Sequence, residues 1–132
     1  MTLLDTSALY ALASDRDPRH REAVRIAGAL AAEEEPLLLH TYILCEAFSL
    51  VHRRRGMQAA LAMDSGLALH EIVVVDLPLH GRAVARQRSG DSARVSLVDA
   101  VSFVVMEDWG IDVAFAFDPD FERAGFRLRG GR

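Results

Sequence analysis

At 132 residues the chain is long enough to bury a core of its own, and its length fits one domain spanning 1–132. Its 51% of hydrophobic residues falls in stretches far shorter than a membrane span, no basic-then-apolar leader opens it, and one cysteine rules out an internal disulfide framework. The expectation is a soluble protein of the reducing cytoplasm, with Cys45 a small core residue. The net charge of −4 excludes a uniformly basic nucleic-acid binder, yet all 15 cationic side chains are arginines, and guanidinium forks suit phosphate and carboxylate partners. The clusters at Arg16–Arg25, Arg53–Arg55 and Arg82–Arg94 suit a local phosphate-binding surface around an acidic site, although solvated helix faces explain any single cluster as well.

In chain order, TLL reads as a first strand and Thr6 to Ala13 as a short helix. Asp17-Pro18 predicts a capped helix start with proline at its first position, the helix running to about Glu34, and Pro36 ends that segment. Leu37 to His40 is a second strand. Thr41 is positioned to cap a helix that runs to Arg53–Arg55, where the positive charges complement the helix end before Gly56 stops it. Met57 to Leu69 reads as a helix with Leu61 and Ala68 on its apolar side. EIVVVD is a continuous β-branched run, as expected for a parallel strand covered on both faces. Asp76 and Pro78 open the next helix and Gly90 closes it. Ser96 caps LVDAVSFVVMEDW, which Gly110 ends; DVAFAF is a fourth central strand, FRLR a last edge strand, and GGR a frayed tail. Strand and helix alternate throughout, which predicts an α/β three-layer α/β/α sandwich around a mainly parallel central sheet.

Four acids sit among apolar neighbours: Asp5 after TLL, Glu46 inside YILCEAFSLV, Asp99 inside SLVDAVSFVVM and Asp118 after DVAFAF. Taken singly, Asp5 is readable as a helix cap, Asp99 as the distal acid of a capping box and Asp118 as a turn opener. Glu46 lies too deep in its helix to cap it, and a glutamate on an apolar face needs a partner. Taken together they gain a second reading. Ligands of an open parallel sheet bind beyond the carboxyl ends of its strands. Asp5 and Asp118 end strands there, and Glu46 and Asp99 lie early in helices entering from that edge. Carboxylates so crowded cannot all stay ionised unaided, and an all-oxygen set suits Mg²⁺ or Mn²⁺, one or two ions, rather than zinc. Such a site leads to phosphodiester hydrolysis. No competing motif stands out, since the five histidines lack metal-ligand spacing and no phosphate-cradling glycine loop or nucleophile elbow is present. His40, beside the second strand's end, reads as structural or as facing the site.

LLDTSAL, the Glu46 of TYILCEAF, SLVDAVSF and AFAFDPDFERAGFRL, in this order and spacing, resemble the PIN-domain ribonucleases, and within them the VapC-type toxins of bacterial toxin–antitoxin pairs. The resemblance covers essentially the whole chain. It implies that Asp5, Glu46, Asp99 and Asp118 are the catalytic, metal-holding acids, supported by Thr6, Ser7 and Ser96. Asp120 is a candidate to share or replace the role of Asp118. It further implies Mg²⁺- or Mn²⁺-dependent endonucleolytic cleavage of RNA, a homodimer and a cognate antitoxin, with no membrane association. Arg16, Arg19, Arg53, Arg54 and Arg94 are the candidate RNA contacts, and the helix around Leu61 and Ala68 is a candidate dimer surface. Two other readings stay open: a PIN nuclease that processes RNA without an antitoxin, and a degenerate α/β module whose acids are idle.

Overall fold

The computed structural model describes residues 1–89 and 94–129. The elements in order are β1 (Thr2–Leu4), α1 (Thr6–Ala13), α2 (His20–Ala32), β2 (Leu37–His40), α3 (Thr41–Arg55), α4 (Met57–Leu67), β3 (Glu71–Val73), α5 (Leu77–Arg88), α6 (Leu97–Trp109), β4 (Val113–Phe115), α7 (Asp120–Arg123) and β5 (Arg127–Leu128). The five strands form one sheet in the order β3-β2-β1-β4-β5, and every pairing is parallel. Helices α1 to α4 pack on one another, and α5 and α6 pack together. Phe103 of α6 meets Phe121 of α7 edge-on at 5.1 Å, so α7 joins the second group. The expected three-layer α/β/α architecture is thus present, with a sheet that is wholly rather than mainly parallel.

The core is aliphatic where the two layers meet the central strands. Leu3, Leu38, Leu39, Ala114 and Phe115 from the sheet are buried, as is nearly the whole of α6 from Ala100 to Met106. An α6 apolar all round needs cover all round, which its place between sheet, α5 and α7 supplies. A cleft of about 580 Å³, aliphatic in its walls, opens between α1, α2 and α4, lined among others by Leu9, Leu12, Leu30, Met63 and Leu67. No helix among the described residues is long and apolar enough to cross a membrane.

Several boundaries match the sequence: Asp76 caps α5 by accepting from the Leu79 N–H at 2.9 Å, Ser96 caps α6, and Gly110 ends α6 at φ +66°, a left-handed conformation that glycine adopts without a Cβ clash. The expected stop at Gly90 and the GGR tail lie outside the described residues.

Other expectations are corrected. Helix α2 starts at His20, because Asp17 Oδ1 accepts from the Arg19 N–H at 2.8 Å in a separate turn before it; it ends at Ala32, with Glu34 already at φ +53°. His40, not Thr41, caps α3: its Nδ1 accepts from the Ile43 N–H. Thr41 instead takes the Val75 N–H at 3.0 Å, tying the end of β3 to α3. Helix α4 buries Ala60 and Leu67, while Leu61 and Ala68 face outward, one residue around the helix from the expected stripe. The β-branched run after Glu71 is the sheet's edge, pairing only with β2, and Val74 beyond it is 72% exposed. Cys45 is exposed because the buried stripe of α3 is Ile43, Ala47 and Val51, on a different face.

Leu38 is wholly buried on β2, the strand that ends at His40, and pairs with Leu3 of β1, the strand that leads to Asp5. Leu38→Ala should lower stability to urea by about 3 kcal/mol, whereas Leu61→Ala, at a 51% exposed position, should change it by less than about 0.5 kcal/mol.

Candidate active site

The carboxyl edge of the sheet holds a recess of about 350 Å³ lined by Asp5, Thr6, Ser7, Glu46, Arg94, Ser96, Asp99, Asp118 and Asp120. All four predicted acids are there, and so are all four predicted supporting residues. Asp5 arrives directly from β1, which pairs with β4, so the segment after β4 brings Asp118 alongside it. Asp99 is carried by the first turn of α6 and Glu46 by α3. The structure corrects the reason for noticing Glu46. It is exposed at the recess, on neither the buried stripe of α3 nor an apolar face in need of a partner.

Asp5 is almost wholly buried at 3% exposure and caps α1. Its Oδ2 accepts from the Ser7 N–H at 3.1 Å and from the Ser7 hydroxyl at 2.5 Å. The Ser7 oxygen accepts in turn from the Phe117 N–H at 3.0 Å, so one hydroxyl ties Asp5 to the chain one residue before Asp118. Asp118 Oδ1 accepts from the Asp120 N–H at 2.9 Å, a short turn that leads into α7. Carboxylate oxygens of Asp99, Asp118 and Asp120 all lie within 4.8 Å of one another. Asp118 and Asp120 therefore belong to the site together.

Burial, and then crowding, raises the proton affinity of Asp5 and Asp99. Burial pushes Asp5 up to about 6, against the opposing hydrogen bonds from Ser7 and Thr6 and with the charge of Asp118. Asp99 rises to about 8, first from burial, then from the charges of Asp5 and Asp118, a hydrogen bond to Asp118 that only the protonated form donates, and the charge of Glu46. The Thr6 hydroxyl, buried at the recess, has no partner among the described residues. Buried hydroxyls are normally paired. A clustered trio of carboxylates, like charges that need relief and a spare hydroxyl together fit a hard divalent cation.

A buried histidine that sequence reasoning left undecided braces the site from behind. His40 Nδ1 accepts from the Ile43 N–H at 3.3 Å, which leaves the ring proton on Nε2 to be donated to Ser102 Oγ at 2.9 Å. Ser102 donates to the Val98 carbonyl at 3.2 Å. The first turns of α3 and α6, which precede Glu46 and carry Asp99, are thereby joined. The sequence signal for this pairing was a serine three residues beyond Asp99 on an otherwise apolar helix.

The candidate RNA contacts are spread differently. Arg94 lines the recess, Arg19 stacks over the Phe117 ring at 5.3 Å and Arg54 over the Tyr10 ring at 5.3 Å. Arg16 and Arg53 are exposed and are not among the residues that line the recess.

The sequence matches the PIN-domain family model over residues 2–127. The chain belongs to the PIN-domain family. This PIN domain is 36% identical over 129 residues to the 23S rRNA-specific endonuclease VapC20 of Mycobacterium tuberculosis, in both the CDC 1551 / Oshkosh and the H37Rv strains, a match covering 96% of this chain and 95% of that protein. The crystal structure of Mycobacterium tuberculosis VapC20, described as a sarcin-ricin loop cleaving toxin, superposes with a TM-score of 0.84 at 35% identity, covering 96% of each chain. The chain is a VapC-type PIN-domain endoribonuclease, and the PIN nucleases as a family depend on metal.

His40 is held neutral, since burial pulls its pKa down to about 3. A folded-state pKa below the unfolded value near 6.5 means that the unfolded chain binds more protons between the two. Its contribution to stability is complete above about pH 6.5 and lost as the pH falls toward 3. In urea melts between pH 7 and pH 4.5 the wild type should lose stability more steeply than His40→Gln, which has no proton to gain.

Proposed function

We propose that the acidic recess is the catalytic centre of a single nuclease unit that hydrolyses RNA phosphodiester bonds, with Asp5, Asp99 and Asp118 holding Mg²⁺ or Mn²⁺, one or two ions, and Asp120 sharing the load. The observation that carries this reading is the meeting of Asp99, Asp118 and Asp120 oxygens within 4.8 Å beside a buried Asp5. A divalent cation bound there supplies Lewis acidity and neutralises charge that develops on the phosphate oxygens.

The chain's own residues do the rest. Ser7 and Thr6 keep Asp5 oriented at the strand's end. Glu46, exposed at the recess and outside the close trio, takes a proton from the attacking water. The water oxygen bonds to phosphorus, the bond to the leaving ribose oxygen breaks, and that oxygen takes a proton from solvent. The relatives named for 23S rRNA and the sarcin-ricin loop support a loop of large-subunit ribosomal RNA as the target, since splayed loop bases are where proteins read RNA.

A cognate antitoxin has two unlike surfaces to engage: the acidic recess for a cationic segment, and the aliphatic cleft between α1, α2 and α4 for an apolar one. A second copy of the chain finds exposed apolar side chains at Leu61, Leu69, Val74 and Leu77, around α4 and the β3 edge.

Asp5→Asn should abolish cleavage of an RNA stem-loop and toxicity on expression while leaving the circular dichroism spectrum unchanged; cleavage at the wild-type rate would remove Asp5 from the site. The metal is tested separately by thermal melts. Asp99 has its pKa raised, so its ionisation destabilises the metal-free fold as the pH rises through about 8, and protonation competes with a cation below that. Stabilisation by Mn²⁺ should be larger at pH 8.5 than at pH 6, and absent in Asp99→Asn, which without metal should be at least as stable as the wild type at pH 8.5.

A further inference from the structure

Arg94 is the one basic residue among those that line the acidic recess. Five carboxylates face it there, from Asp5, Glu46, Asp99, Asp118 and Asp120, yet among the described residues it makes no ion pair. Asp120 pairs instead with Arg123 at 2.7 Å. Two other arginines of the same cluster are committed elsewhere: Arg82 to Asp108 at 2.7 Å and Arg86 to Glu107 at 2.6 Å. The backbone beside Arg94 is held, because Gln87 Nε2 donates to the Val95 carbonyl at 2.9 Å, and Ser96 next in line caps the helix that carries Asp99. The guanidinium is therefore anchored by its main chain at the site while its donors meet no acceptor among the described residues.

A recess of this charge repels the polyanion it has to receive. A cation placed within it offsets that repulsion, and a guanidinium does so with a fork that fits two oxygens of one phosphate. The same charge acts against any other cation nearby through ordinary Coulomb repulsion. We propose that Arg94 receives a phosphate group of the RNA at the recess, and that in the free protein its charge weakens divalent-cation binding there. The two effects have opposite signs in one side chain. RNA binding occupies Arg94 and so favours the metal, and the metal in turn favours RNA, as linkage requires. This inference rests on the hydrolase reading above.

The test measures both ligands on the full chain, with Arg94→Ala and Arg94→Lys. At saturating Mn²⁺, Arg94→Ala should raise KM for a labelled RNA stem-loop about tenfold, the loss expected for a charge-assisted phosphate contact. In melts with Mn²⁺ alone, the same variant should reach half of its thermal stabilisation at roughly threefold less metal. Arg94→Lys keeps the charge but not the fork, so its Mn²⁺ dependence should match the wild type while its KM is only partly restored. An unchanged KM in Arg94→Ala overturns the proposal, and so does a weakened response to Mn²⁺, which would mean that the change had distorted the acids. Wild-type cleavage by Asp99→Asn would instead overturn the hydrolase reading, whatever Arg94 does.

Discussion

Carboxylates brought together against their own repulsion are what this fold has to support. Asp5 comes from β1, Asp99 from α6, Asp118 from the segment after β4 and Glu46 from α3, and the charge of Asp118 raises the proton affinity of both Asp5 and Asp99. Groups that repel are held close only by backbone that is itself well packed. Here the backing is the aliphatic centre of a parallel sheet with β1 and β4 side by side. A parallel sheet delivers the ends of its strands to one edge, and helix N-termini start from that same edge. Their exposed N–H groups favour negative charge, so the edge that concentrates acids also offers partial relief.

Short hydrogen-bonded links translate that packing into position. Ser7 bridges Asp5 and the Phe117 backbone, so β1 and the segment beyond β4 move as one. His40 and Ser102 do the same for α3 and α6. The His40–Ser102 pair lies buried in the core, Ser7 at the edge of the recess, and each is satisfied, which makes the arrangement specific as well as stable. Two buried hydroxyls, of Thr6 and Ser14, have no partner among the described residues, and that of Thr6 lies at the acidic recess.

The arginines divide by location rather than by cluster. Arg82 and Arg86 of α5, Arg127 of β5 and Arg129 just beyond it answer carboxylates elsewhere in the chain, Arg129 pairing with Glu33 at 2.6 Å, and belong to the surface. Surface pairs of this kind contribute little stability each. Arg19 and Arg54 sit over aromatic rings, and Arg94 lines the recess with the acids. A net charge of −4 thus conceals a recess where five carboxylates gather around a single arginine.

The sequence by itself determined the alternation of strands and helices, the caps at Asp76 and Ser96, the glycine stop at Gly110 and which acids stand out from their apolar neighbours. Each of these is written in local spacing: a cap is read three residues away, and an acid after a strand marks that strand's end. Tertiary structure decided what local spacing leaves open. EIVVVD looked like an interior strand, but sheet order made it an edge, since β-branched composition reports strand propensity and not neighbours. Leu61 and Ala68 gave way to Ala60 and Leu67 because an alanine-rich helix has no strong apolar stripe, and the docking surface chooses its face. Cys45 and Glu46 face outward for a related reason: α3 buries only Ile43, Ala47 and Val51. His40 became a cap and a brace only when α6 brought Ser102 to it across 62 residues of sequence. Asp120 joined Asp118 and Asp99, and Arg94 was singled out from its cluster, through the same long-range closure. Residue chemistry is local, but which residues share a volume is set by how the sheet orders its strands.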